Sequence, residues 1–487
     1  MVDFVFVNQP MFNGIPVPRE PDCSSPQLDD FMQPLGLMYL AGVARDLFGK
    51  EAVRLIDANV LQKDYDWVAK EIKKEDPKIV IGNITAPTLY YDTKLADVVK
   101  ENSSAYYGTW GPIPSAIHDK MFKDFPNLDF IIDNEPEDTL KELLQNFESG
   151  KKNPFAGVKG LTYRTGKTYK FNGYRPLAPN LDHLPIPFYE GVPMKLYRTP
   201  FNRRRPMTIM RTSRGCPASC TFCITGGQCD IYRGYGKPWR AYSAERALKE
   251  IELAVKEFGV REINFFDPEF TIDKKRVQDI AKGIIERNLD VVWNCTARVD
   301  YVDFETLKWM KKSGCYGVAY GVESADEGIL KRVKKNITLS QVESAIILTK
   351  AAGIKPSTFF MVGLPGETKE TMKKTFDFAY YLMRKYHIRP QCTIATPYPG
   401  TCFFKEAVEN KWIKTDISNF DQTLASIEYP TVSKEDLQEF HDMFYKKIAM
   451  NPIRLFWRVL EIRNPEEIYN AFIHLKERLI SRGKHVR

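Results

Sequence analysis

Histidine is scarce in this chain of 487 residues: there are six, and none stands ahead of His118. No imidazole ligand or base can therefore come from the segment before it. No uncharged apolar run approaches the roughly 18–20 residues needed to span a membrane. The N-terminus, Met-Val-Asp-Phe-Val-Phe-Val-Asn, lacks the basic stretch of a signal peptide and reads as a strand. There is no internal repeat and no low-complexity tract. Large charge excess is also missing: Lys+Arg 70 against Asp+Glu 62 gives +8, from which no bulk affinity for nucleic acid follows. Nine cysteines in so long a chain, without a signal peptide, do not suggest a disulfide framework. A reducing, cytoplasmic setting is expected. Hydrophobic residues at 43% and charged residues at 27% suit a globular protein, and the length suits two or three domains.

What is present begins with alternation. Over residues 1–150, strand patterns at Phe4–Val7, Val53–Asp57, Ile79–Asn83, Tyr106–Gly108 and Phe130–Asp133 alternate with amphipathic helix patterns. Five such units predict a doubly wound, Rossmann-like parallel sheet, with ligands at the strand carboxyl ends. Residues 151–206 include a proline-rich stretch, Pro176 to Pro206, and read as an ordered connector. A second α/β series spans 207–400, with strands expected at Met207–Met210, Glu262–Phe266, Val291–Cys295, Gly317–Tyr320, Ser357–Val362 and Cys392–Ala395. Six units predict an open, partial (β/α)6 barrel whose functional groups sit at the strand carboxyl ends. Residues 401–487 read as a small, mainly helical region.

Cys216, Cys220 and Cys223 form a CxxxCxxC triad with Phe222 before the last. Three thiolates on one short loop can hold three corners of a cubane iron–sulfur cluster and leave the fourth iron for a small molecule. The competing reading is structural zinc, which usually wants four ligands in two pairs. Cys229 has no companion group and reads as a buried or partly exposed thiol, with an auxiliary cluster as the alternative. Cys295, Cys315, Cys392 and Cys402 read mostly as packing. Arg203-Arg204-Arg205, with Arg198 and Arg211, are either an anion site or a solvated surface. The C-terminal stretch Lys476–Arg487 reads as an exposed basic helix end.

With the cysteines stand Asn264-Phe265-Phe266-Asp267-Pro268-Glu269-Phe270, Gly321-Val322-Glu323-Ser324, Met361-Val362-Gly363-Leu364-Pro365-Gly366-Glu367-Thr368 and Thr396-Pro397-Tyr398-Pro399-Gly400-Thr401, each after a strand. Pro34-Leu35-Gly36-Leu37-Met38 opens the first helix. Over residues 1–405 the chain resembles the radical S-adenosylmethionine superfamily, in the branch with an N-terminal cobalamin-binding domain. That resemblance implies a [4Fe-4S] cluster on Cys216, Cys220 and Cys223, S-adenosylmethionine on the open iron, and cobalamin. It implies an electron donor of the ferredoxin or flavodoxin type, and methyl transfer to an unactivated carbon. It places Phe222 by the adenine and Asp267, Pro268 and Glu269 at the methionine amino group. Arg298 and Glu323 fall near the carboxylate and ribose, and the Gly363–Glu367 turn offers backbone groups to the adenine. At the corrin it places Pro34, Leu35, Gly36, Thr85, Gly108, Trp110, Gly111, Asn134 and Glu135. No catalytic acid or base is implied.

One departure is plain. Many cobalamin domains carry Asp-x-His-x-x-Gly after the first strand, and here that loop reads Asn8-Gln9-Pro10-Met11-Phe12-Asn13-Gly14. A lower histidine ligand from it is excluded. Trp110 stands where relatives usually have a second glycine; it either packs against the corrin or fills its space. Tyr106 and Tyr107 read as core, with a corrin platform as the alternative. Glu135 and Glu137 either cap the next helix or lie near the corrin. The resemblance and the lysine-rich composition point to a protein or peptide side chain as substrate, such as glutamine or arginine of methyl-coenzyme M reductase. The rival is a cyclase or C–C coupling enzyme with a vestigial cobalamin domain.

Overall fold

The computed structural model describes residues 2–20, 30–200, 202–225, 232–449, 451, 452 and 468. Cys229 and the Lys476–Arg487 stretch lie outside them. The first sheet has seven strands: β1 (Phe4–Asn8), β2 (Val53–Asp57), β3 (Ile79–Asn83), β4 (Tyr106–Trp110), β5 (Phe130–Ile132), β6 (Leu161–Thr165) and β7 (Thr168–Phe171). Their order is β2-β1-β3-β4-β5-β6-β7. The first five are parallel, as the alternating pattern predicts. β1 and β3 are buried throughout, which is why they read as continuous apolar runs. β6 and β7 form an antiparallel hairpin that extends the sheet past residue 150, into the range expected to be connector. Its short, half-exposed strands carry little apolar signal.

After β8 (Met207–Met210), a short antiparallel pair, β9 (Ser213–Gly215) and β10 (Trp239–Ala241), leaves the second sheet. That sheet continues with β11 (Glu262–Phe265), β12 (Val292–Ala297), β13 (Cys315–Glu323), β14 (Lys355–Val362) and β15 (Arg389–Ile394). Its order is β15-β14-β13-β12-β11-β8, all parallel, so the strands follow the chain and the barrel stays open. Both edges are covered without a further strand. Gln33 Oε1 accepts from Ile209 N (2.8 Å) and Thr208 Oγ1 (2.9 Å) on β8, and Ile394 N on β15 donates to Gln422 O (2.6 Å). Unpaired edge groups would otherwise template further pairing.

The helix Leu35–Phe48 joins the two halves. It is apolar nearly all round because both sides are covered. Tyr39 OH lies between Arg211 O (3.3 Å) and Tyr242 OH (3.1 Å), and Phe188 N of the connector donates to Met38 O. A Cβ at Gly42 would stand 2.6 Å from Ile186 O, so glycine lets the connector press against the helix. The connector also reaches the first sheet through Tyr197 OH, which donates to Asp57 (2.8 Å).

The loop after β1 fills the crevice at the ends of β1 and β3. Arg19 is fully buried: Nε binds Asp92 (2.9 Å), Nη1 donates to Gln9 O and Nη2 to Pro10 O (both 2.7 Å). Asp92 also accepts from Thr85 N (3.3 Å) and from Thr88 Oγ1. Every donor in this plug has a partner, as burial demands. Asp92→Ala strands the Arg19 charge and is expected to cost about 3–5 kcal/mol in urea unfolding. A loss under about 1 kcal/mol would mean that Arg19 finds water instead.

Candidate active site

Cys216, Cys220 and Cys223 follow β9 on a loop held from behind. Thr221 N donates to Val333 O (3.1 Å), and Phe403 N donates to Thr221 O (2.9 Å). None of the three is in a disulfide. Burial pushes the Cys216 thiol up to about 12 and Cys220 up to about 11. The neighbouring thiols add to both shifts, while Lys335 and Arg298 pull Cys220 back. Three thiolates here need positive charge among them, which iron supplies. Among the described residues, no three His, Cys, Asp or Glu side chains converge at single-ion distance. Three thiols on one short loop match the donor set of a cubane with one open corner, whereas structural zinc usually takes four ligands.

The acidic segment after β11 is turned inward. Asp267 accepts from Thr212 N (3.1 Å), Thr212 Oγ1 (2.9 Å) and Ser213 Oγ, so it roots the strand that leads into the cysteine loop. Burial raises its pKa. Glu269 accepts from Thr271 Oγ1 (2.6 Å), Thr271 N (3.1 Å) and Arg298 N, and burial pushes it up to about 7. Both carboxylates expected at a methionine amino group therefore already serve the protein. Pro268 between them faces the cleft.

A register shift in β13 at Gly321/Glu323, with Glu323 at φ 71°, turns Glu323 onto Lys335 (2.7 Å). A Cβ at Gly321 would collide with that pair. Arg298 donates through Nε and Nη2 to Asp300 (3.0 Å each) and through Nη2 to Lys335 O (2.9 Å). Its Nη1 is buried without a partner. A buried, unsatisfied guanidinium N–H is a ready donor for a ligand carboxylate. Phe222 is half-buried against the main core. The turn after β14 is held by Glu367 and Tyr429. Gly363 N (2.6 Å) and Leu364 N (3.2 Å) donate to Glu367, and Tyr429 OH donates to Gly363 O (2.7 Å). The Gly363 N–H is thus committed within the protein, while its carbonyl keeps a second lone pair.

A cleft partly open to solvent draws on both halves. Leu35, Gly36, Trp110, Asn134 and Glu135 come from the first, and Arg211, Thr225 and Pro268 from the second. Of the residues expected at a corrin, Pro34, Thr85, Gly108 and Gly111 do not line it. Thr85 belongs to the Arg19–Asp92 plug, and the Phe130 ring covers Gly108. The Trp110 ring lies where a Cβ on Gly36 would be, and its Nε1 donates to Asn83. Asn134, at φ 62°, keeps its side-chain oxygen and nitrogen buried and unpartnered. His118, which an axial role would require in the cleft, instead faces Asp133 (2.6 Å) and Thr162 (3.3 Å).

Two ion pairs bridge the halves at the cleft wall. Glu137 grips Arg214 through both oxygens (2.8 Å for one), and Glu135 grips Arg240 (2.8 and 2.5 Å). Neither acid caps the helix Glu137–Glu148 through its side chain. The sequence gives no sign of these partners; only the position of Arg214, two residues before Cys216, could have drawn attention. The run Arg203–Arg205 lies instead at the amino ends of β8 and β11, away from the cleft. Arg203 stacks on Tyr316 (4.0 Å), and Arg204 pairs with Asp290 (2.6 and 2.9 Å). An anion site there is not supported.

Residues 210–379 match the radical SAM superfamily. An uncharacterized methyltransferase of Pyrococcus horikoshii is 35% identical over 78% of this chain and 80% of its own length. The anaerobic magnesium-protoporphyrin IX monomethyl ester cyclase of Rubrivivax gelatinosus is 28% identical over 80% of this chain and 68% of its own. Among solved structures, the cobalamin-dependent S-adenosylmethionine radical enzyme OxsB superposes with a TM-score of 0.72, at 19% identity, over 98% of this chain and 71% of that one. The radical S-adenosylmethionine methyltransferase TsrM of Kitasatospora setae gives 0.65 at 16% identity, over 84% and 75%. These two likenesses show the fold.

Two outcomes test the geometry. Glu137→Ala removes both hydrogen bonds to Arg214 and leaves it only the longer Glu135 contact, at 3.9 Å, which is expected to cost about 2 kcal/mol in denaturant. An Arg214→Met change on top of it should return part of that loss, and additive losses would contradict the pairing. The second concerns Glu367, which burial pushes from 4.5 up to about 8. The native state holds this proton more tightly than the unfolded state, so stability falls as pH rises from about 4.5 to about 8. Glu367→Gln should flatten that fall in melting curves across the window, and an unchanged slope would contradict it.

Proposed function

The chain belongs to the radical S-adenosylmethionine superfamily, and from that premise we propose that it is a cobalamin-dependent methyltransferase acting on an unactivated carbon. The observation that carries the reading is the shared cleft. It joins the carboxyl edge of the first sheet to the loop that holds Cys216, Cys220 and Cys223, through Gly215 and Thr225 on its wall. When bound, the cluster with S-adenosylmethionine supplies a carbon radical, and cobalamin supplies a transferable methyl group.

The chain's own contribution is binding, orientation and exclusion of water. Cys216, Cys220 and Cys223 would hold three irons. Arg298 Nη1 would take the carboxylate of S-adenosylmethionine, and Glu323 with Lys335 would border its ribose. Leu35, Tyr39 and Trp110 offer an apolar wall, and the unpartnered Asn134 amide offers both a donor and an acceptor to the amide rim of a corrin. Trp110 presents no ligating atom, so a corrin here would have no protein ligand from that residue. No histidine lines the cleft among the described residues, which suits a radical capped by a methyl group with no base. The opening to solvent suits an acceptor that reaches in from a larger molecule, such as a protein or peptide side chain.

A second reading has a specific observation behind it. Trp110 and Phe130 cover two of the glycines expected at a corrin, Gly36 and Gly108. A cyclase with a vestigial domain would look so, and one relative is named as a cyclase. Anaerobic assay with S-adenosylmethionine carrying a CD3 group separates the two. The expected outcome is corrin absorption bands in reconstituted protein and a product heavier by one CD3 group. Deoxyadenosine without deuterium transfer, in protein that retains no cobalt, would favour the cyclase.

A further inference from the structure

We propose that the exposed face of the helix end and turn spanning residues 331–334 is the docking surface for an acidic one-electron carrier protein. This rests on the cluster reading above. Cys220 is the most buried of the three ligands, at 7% exposure, and none of the three lines the cleft. Its Sγ lies 3.8 Å from Lys334 O, and Thr221 N donates to Val333 O. The turn thus lies directly against Cys220, and its Lys334 is exposed. Neither Val333 nor Lys334 lines the cleft, so a carrier on this side does not occupy the substrate space.

Charge selects the partner. The helix Glu327–Arg332 and the turn after it read Glu-Gly-Ile-Leu-Lys-Arg-Val-Lys-Lys-Asn. Lys335 is buried on Glu323, while Lys331 and Lys334 are exposed and make no ion pair with a described residue. Arg332, half-exposed, is neutralised by Glu406, and Glu327 is the acidic residue one turn before Lys331. The helix Cys402–Glu409, tied to the cysteine loop by Phe403 N, adds Val408 at 52% exposure. Exposed, unpaired cations suit an acidic protein that must dock briefly and leave. In the step itself the carrier is oxidised by one electron, the cluster is reduced by one, and no proton or bond moves.

The test compares two reductants on the full chain with its cluster. Lys331→Glu/Lys334→Glu is set against wild type and against Lys63→Glu, a distant exposed control. Driven by a reduced 2[4Fe–4S] ferredoxin at low salt, deoxyadenosine formation by the double variant should fall about tenfold, as expected for reversed steering charges. Driven by titanium(III) citrate, it should stay within about twofold of wild type. Carbodiimide cross-linking of the ferredoxin to cluster-free wild-type protein should map to Lys331 and Lys334, a readout independent of turnover. Equal ferredoxin-driven rates, or cross-links confined to other lysines, would overturn the surface. Wild-type protein that makes no deoxyadenosine even with titanium(III) would instead overturn the cluster reading, and the surface with it.

Discussion

Two largely buried ion pairs set where the chemistry can happen. Glu135 and Glu137 leave the carboxyl end of β5 and hold Arg240 and Arg214, the two sides of the short β9–β10 pair. Gly215 and Cys216 come next after Arg214, so the first sheet fixes the start of the cysteine loop in the second. The helix Leu35–Phe48 supplies the apolar part of the same junction and the ion pairs supply its direction. Apolar contact alone would let one half slide over the other; bidentate pairs tolerate little displacement. The cleft is the space these two kinds of contact leave between the strand ends.

A second rule runs through the site: acids after the strands serve the backbone before they serve a ligand. Asp267 holds Thr212 and Ser213, Glu269 holds Thr271 and the Arg298 N–H, and Glu367 holds the Gly363 and Leu364 N–H groups. Each is buried, and each has its pKa raised because hydrogen bonds only partly repay desolvation. Such groups stiffen loops that sheet pairing cannot reach. They also narrow the list of side chains with valence left for a cofactor, and Arg298 Nη1 and the Asn134 amide head what remains.

The regular parts of this fold were legible because burial writes itself as periodicity. β1 and β3 read as unbroken apolar runs, and Ser243 caps the helix Ala244–Lys256 through Arg246 N as its position predicts. The β6–β7 hairpin was not legible, since half-exposed edge strands carry no apolar stripe. The cysteine triad was legible because its spacing is local. The ion pairs were not, because Glu137 and Arg214 meet across 77 residues and nothing near either one names the other. For the same reason Arg203–Arg205 looked like a possible anion site, although Asp290 and Tyr316 claim two of the three.

The crevice at the ends of β1 and β3 shows what the missing histidine changes. A loop that offered an imidazole upward would have to leave room above itself. Here the loop folds down and Arg19 closes the space, with every guanidinium nitrogen bound. Asn83 then serves two masters: its Nδ2 donates to Arg19 O, and its Oδ1 receives the Trp110 indole. Trp110 is thereby fixed with its ring edge against Gly36, as a wall of the cleft. The histidine-free loop, the plug and the tryptophan are one hydrogen-bonded unit. A change that reintroduced a ligand in the loop would have to dismantle Arg19–Asp92 first, so the character of the cleft floor is set by a salt bridge that never touches it.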